Sequence, residues 1–219
     1  MDIINNFKKS DNIYIFIPNL LGYIRIILAI FSIWFMPYDY KKAIILYVSS
    51  ELLDAFDGYA ARYFKQSTHF GAMLDMLTDR CCTLVLLTVL CSFYPRWAFL
   101  FQLSICLDIC SHWIHIYSSS LVGKTHKTIS PSGNRFMKIY YSSRVLLFCM
   151  CAGNELFYAS LYLLNFNLGP KVMGIPCWLL MLYMTLPICI AKTILNLIQM
   201  IKACQFIVDY DVRILLAQI

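Results

Sequence analysis

Long apolar runs separated by short polar turns dominate this chain, and their lengths decide the reading. A hydrocarbon core about 30 Å thick needs about 20 helical residues. The pattern predicts six such spans: Tyr14–Phe35, Ala43–Phe64, Gly71–Tyr94, Trp97–Tyr117, Met137–Leu164 and Val172–Ala203. Pro37, Pro95 and Pro170 mark turns between them. Ahead of the first span, Asp2–Asn12 reads as a surface segment, with Ile3, Ile4 and Phe7 toward lipid and Lys8 and Lys9 toward head groups. The expected architecture is an all-α polytopic membrane protein. It is a six-transmembrane-helix bundle with a short N-terminal surface segment, formed as one domain over residues 1–219.

Composition supports the same picture. The chain is 60% hydrophobic and 14% charged, with a mean hydropathy of +0.67, whereas soluble domains carry roughly 25% charged residues. The N-terminus lacks a signal-peptide core, so the first span is expected to serve as an uncleaved anchor. With the N-terminus in the cytosol, that side holds Lys8, Lys9, Arg62, Lys65, Lys124, Lys127, Arg135, Lys138, Lys202 and Arg213. The far side holds only Lys41, Lys42, Arg96 and Lys171. The bias toward basic cytosolic loops places both termini in the cytosol. The net charge of +6 is scattered, without an aromatic-basic stripe, which argues against nucleic-acid binding. The ten cysteines fall mostly in apolar runs and lack paired zinc spacing, so they read as small buried hydrophobes.

Charge changes the picture in one window, DAFDGYAARYFKQSTHFGAMLDMLTD. Asp54 and Asp57 are three apart and share a face of the second span; Asp75 and Asp79 are four apart and share a face of the third. A short hairpin sets these faces opposite each other near the cytosolic surface. Charge at membrane depth is costly and marks function by default. Clustered carboxylates repel unless something positive holds them. Four of them can hold two divalent ions about 4 Å apart, a clamp for displacement at phosphorus, and all-oxygen ligation points to Mg²⁺ or Mn²⁺. Gly58 and Ala61 leave backbone bare for a flat group, and Gly71 does so at the start of the third span. Arg62 is able to fork onto a phosphate, and Thr68 offers a hydroxyl to the same ligand. Close helix packing alone would explain an isolated small residue, but not this set beside four acids.

Other polar residues lie at membrane depth. Asn19, Gly22 and Arg25 are spaced by three in the first span; Gly22 suits packing, while Asn19 and Arg25 could line the nucleotide end of a site. For a neutral, hydroxyl-rich acceptor, several hydrogen-bonding groups are needed. His112 and Arg144 are the candidates chosen from a set that includes Asp108, Ser111, His115, Asn154 and Glu155. Interhelical hydrogen bonding and snorkelling are their bland alternatives.

The window reads D-x2-D-G-x2-A-R-x8-G-x3-D-x3-D with every fixed position filled. It resembles the CDP-alcohol phosphatidyltransferase family of membrane enzymes. IPNLLGYIRI, SHW, SGN and CAGNELFY extend the resemblance, to eukaryotic members of the family, from about Tyr14 to about Ala191, and the SHW and AGNELFY stretches point to inositol as the acceptor. The resemblance implies transfer of a phosphatidyl group from CDP-diacylglycerol to myo-inositol, with release of CMP. It implies that Asp54, Asp57, Asp75 and Asp79 ligate two metals, that Asp79 is also the base, and that Gly58, Arg62 and Thr68, beside Ala61 and Gly71, hold the CDP group. A homodimer in the endoplasmic reticulum membrane is implied as well.

The nearest rival is the same transfer to glycerol phosphate, serine, choline or ethanolamine. A cation transporter would use the acids differently, but the sequence has no inverted repeat and gives no reason for the Gly58, Arg62 and Gly71 spacing. A structural scaffold has no use for four clustered acids.

Overall fold

The computed structural model describes residues 13–122 and 144–218. Six long helices are present among them: α1 (Ile17–Phe35), α2 (Tyr40–Tyr63), α3 (His69–Phe93), α4 (Ala98–Val122), α5 (Arg144–Leu164) and α6 (Cys177–Leu216). A 3₁₀ turn at Pro95–Trp97 precedes α4, and a two-stranded hairpin, β1 (Lys171–Val172) and β2 (Ile175–Pro176), precedes α6. Five of the helices are long and apolar enough to cross a membrane, making this a multi-pass all-α membrane protein. The exception is α2, which has the length but carries Glu51, Asp54 and Asp57 along its middle. The expected six spans therefore divide into five that meet both conditions and one that meets only the first. The N-terminal surface segment expected at Asp2–Asn12 lies outside the described residues.

The chain divides into two compact units, Met1–Val89 and Leu90–Ile219. In the first unit, α1 turns the usual soluble pattern inside out. Its buried face is Pro18, Asn19, Gly22, Arg25, Ala29 and Ser32, while Ile24, Ile27, Ile30, Phe31 and Trp34 face outward. Lipid solvates apolar side chains as well as a core does, so the small and polar residues mediate helix contact. Gly22 lets α1 approach α3 closely: a Cβ there would meet Leu74 Cδ2 at 3.0 Å. Two hydroxyls tie α1 to α2, Ser32 Oγ donating to the Ala43 carbonyl (2.9 Å) and Ser50 Oγ donating to the Arg25 carbonyl (3.1 Å).

Local signals set the ends of these helices. Pro18 sits in the first turn of α1, where its missing N–H is no loss. Asp39 caps α2, accepting from the Lys41 and Lys42 backbone N–H groups at 3.2 Å each. The Lys42 backbone bond holds its carboxyl below the ordinary range. The other end of α2 closes in a Schellman motif: Gln66 N donates to the Ala61 carbonyl (2.9 Å) and Lys65 N to the Arg62 carbonyl (3.3 Å). Lys65 takes the left-handed position at φ 55°, where glycine is usual.

In the second unit an aromatic cluster joins Phe93, Tyr162 and Phe166, with centroids 5.3–5.8 Å apart. Tyr94 Oη donates to the Leu161 carbonyl at 2.9 Å. The sixth predicted span begins and ends differently from expectation. Residues 171–176 form the hairpin because Met173 (φ 51°) and Gly174 (φ 85°) supply the paired positive φ of a type I′ turn. Pro176 then starts α6, which runs on to Leu216 because no glycine or proline follows Ala203 to stop it. At 1.5 Å per residue, its 40 residues reach about 60 Å.

Candidate active site

The acidic site lies within the first unit. Asp54 and Asp57 come from α2, Asp75 and Asp79 from α3. One ligand oxygen from each of Asp54, Asp57 and Asp75 lies within 4.8 Å of the others. Asp79 joins them through Arg25 of α1, whose side chain is wholly buried: Nη2 is 2.5 Å from Asp79 Oδ1, and Nη1 is 2.7, 2.8 and 2.7 Å from Asp54, Asp57 and Asp75. The fold thus gathers all four predicted acids around one centre. The sequence left Arg25 open as a residue that could line the nucleotide end; the fold sets its guanidinium among the four acids. Its spacing of three from Gly22 and of six from Asn19 was the available signal, since that spacing puts all three on the inner face of α1.

The donor set is entirely carboxylate oxygen. Hard divalent cations prefer such ligands, and soft sites need thiolate or imidazole. The residues present therefore fit a divalent metal, with Asp54, Asp57 and Asp75 as the group able to hold one.

Beside the acids a cleft of about 180 Å³ opens between α1, α2 and the start of α3. Asp57, Gly58, Ala61, Arg62, Thr68, Gly71 and Asp75 all border it, so the predicted nucleotide contacts share one space with two of the acids. A Cβ on Gly58 would meet no protein atom closer than Arg62 Nη1 at 3.5 Å, so the backbone there is bare toward the cleft. Gly71 is bare for another reason: a Cβ would stand 2.7 Å from Asn19 Oδ1 and 3.2 Å from Thr68 Oγ1. Thr68 caps α3, its Oγ1 accepting from Gly71 N at 3.0 Å, which leaves its O–H free to donate.

Two cleft residues had no role assigned from sequence or only an uncertain one. Gln66 Oε1 accepts from the Ile17 backbone N–H at 3.1 Å, pinning the turn after α2 to the start of α1. Asn19 is buried and donates from Nδ2 to the Ile13 carbonyl at 2.6 Å, leaving Oδ1 facing Gly71. Gln66 had no sequence signal, because its partner is a backbone group 49 residues away.

The acceptor candidates belong to the other unit or lie outside the described side chains. His112 belongs to the second unit, where its Nδ1 lies 2.8 Å from the Asp108 carbonyl and 3.5 Å from Asp108 Oδ1. Asn196 Nδ2 of α6 reaches the same Asp108 Oδ1 at 3.4 Å. These His112 contacts stay within α4, and Asp108 carries the link from α4 to α6. Arg144 is the first residue of α5, and its side chain lies outside the described residues.

Several known proteins similar to this chain carry the same printed name. A rat CDP-diacylglycerol–inositol 3-phosphatidyltransferase is 50% identical over 92% of this chain and 95% of its own length. The human protein of that name is 48% identical over the same shares. One from Schizosaccharomyces pombe is 42% identical over 95% of each chain. No solved structure gives a significant match. Residues 15–201 match the sequence family described as CDP-alcohol phosphatidyltransferase, and on that span, which contains the whole acidic window, the chain belongs to this family.

Proposed function

We propose that this chain synthesises phosphatidylinositol: it transfers the phosphatidyl group of CDP-diacylglycerol to a hydroxyl of myo-inositol and releases CMP. The carrying observation is the shared name of relatives at 42–50% identity along nearly the whole chain. The filled acidic window stands beside it. The family implies a divalent metal, and we assign two ions, Mg²⁺ or Mn²⁺, to Asp54, Asp57, Asp75 and Asp79. When bound there, such ions neutralise charge on the phosphoryl oxygens and on the leaving phosphate.

The chain's own residues do the rest in this reading. Gly58 and Ala61 admit the nucleotide against bare helix, and Arg62 forks onto its phosphate. Thr68 donates its remaining O–H to the same ligand. Asp79 takes the proton of the attacking inositol hydroxyl, a contribution of about 10²- to 10⁴-fold. His112 and Arg144 remain the proposed acceptor contacts. The reading treats residues 1–219 as one catalytic domain. It also assigns a homodimer in the endoplasmic reticulum membrane with both termini cytosolic, the orientation being supported by the Lys/Arg bias.

The test is release of CMP from CDP-diacylglycerol by the purified chain. CMP release should require inositol and be abolished by chelation, then restored by Mg²⁺ or Mn²⁺. Equal or faster turnover with serine, glycerol phosphate, choline or ethanolamine would replace inositol as the acceptor.

A further inference from the structure

The contacts of Arg25 exceed what a guanidinium satisfies well. Nη1 carries two protons, and these go to Asp57 Oδ2 and Asp75 Oδ1. Asp54 Oδ1 is equally near, at 2.7 Å, without a hydrogen bond from it. Nε, also buried, has no acceptor among the described residues. Three carboxylates thus surround a nitrogen able to serve two, while a donor on the same group faces none. That surrounding suits a spherical cation better than a planar fork. The three acids that meet Nη1 are also those whose oxygens lie within 4.8 Å of one another. The base of the side chain is fixed, because Ser50 Oγ of α2 donates to the Arg25 carbonyl.

We propose that Arg25 is the resident counter-cation of the acid cluster. It holds the four carboxylates converged in the metal-free protein and gives up the Asp54–Asp57–Asp75 centre to a divalent ion. This rests on the reading that these acids bind metal. Two positive charges at one centre repel, so Nη1 and the ion exchange places rather than share it. The role is one of positioning: Arg25 keeps the ligands gathered, so that the site is formed before metal arrives.

Linkage gives the proposal a sign. If Arg25 stabilises the metal-free form more than the loaded one, removing its charge tightens metal binding. Full-length protein in detergent, wild type and Arg25→Met, is measured for Mn²⁺ binding by the electron paramagnetic resonance of free Mn²⁺ and for Tm with chelator or with saturating Mn²⁺. With chelator, Arg25→Met should melt at least about 6 °C below wild type, as expected when a buried charge network loses the cation that meets all four of its acids. Mn²⁺ should close most of that gap, and its Kd should fall at least about tenfold. Adding Asp54→Asn to Arg25→Met should raise the Tm in chelator above that of the single variant, since one uncompensated charge is gone.

A Kd that rises in Arg25→Met, or a Tm gap that Mn²⁺ leaves open, overturns the proposal while the metal reading stands. So does an Arg25→Met chain that fails to fold even when Mn²⁺ is present throughout. Absence of Mn²⁺ binding to the wild type instead sinks the metal reading itself.

Discussion

Asn19 Oδ1 occupies the space that a side chain at position 71 would need, 2.7 Å from where a Cβ on Gly71 would stand. The Asn19 amide is held in that pose by its bond to the Ile13 carbonyl, so it has little room to yield. Gly71→Ala is therefore expected to force α1 away from the start of α3. Overpacking of this kind costs about 1–3 kcal/mol. The Tm of the detergent-solubilised protein should drop, and activity with it.

Gly58→Ala should behave in the opposite way. Beyond its own helix backbone, the added methyl meets nothing closer than Arg62 Nη1 at 3.5 Å, and Gly58 borders the cleft. Alanine is the better helix former by about 1 kcal/mol, so Tm should hold or rise. Affinity for CDP-diacylglycerol should fall at least about tenfold, a loss of roughly 1.4 kcal/mol. A binding isotherm and a melting curve on the same sample separate the two effects. Unchanged affinity would remove Gly58 from the nucleotide site.

Asp79→Asn tests the proposed base. The amide keeps the size of the carboxylate, so the cluster should still form. Turnover should fall by at least about 10²-fold, while CDP-diacylglycerol still binds. Wild-type turnover in this variant would remove Asp79 from proton transfer.

Lys65 offers a check on backbone conformation alone. Its φ of 55° is left-handed, which costs an L-residue roughly 1–2 kcal/mol. Lys65→Gly should raise the Tm by a few degrees, about 2–4 °C for each kcal/mol in a chain of this size. Lys65→Val should lower it, because a β-branched side chain is least tolerant of that region.

Much of the site was legible because its residues are periodic. Asp54 and Asp57, like Asp75 and Asp79, repeat at helical spacing, and five residues between α2 and α3 force the two helices into a hairpin. Helix ends were less legible. The hairpin at 171–176 lies inside an apolar stretch, and hydropathy alone does not distinguish Val172 in a strand from Val172 in a span. The run from Ala203 to Leu216 carries Asp209, Asp211 and Arg213, which made it look unlike a span, although helix formation needs only that no residue break it.

The order of apolar and charged residues was enough by itself to determine a helical membrane protein and to pair the four aspartates on facing helices. That follows because hydrogen-bonded backbone in lipid leaves only the helical period to place side chains. Where the balancing charge sits was decided by tertiary structure. Arg25 is 32 residues from Asp57 and 54 from Asp79, and it reaches them only because Gly22 and Ser50 let α1 settle against the α2–α3 hairpin. No local pattern encodes a contact made by three helices at once, so the cation at the heart of the site became visible only when the chain was folded.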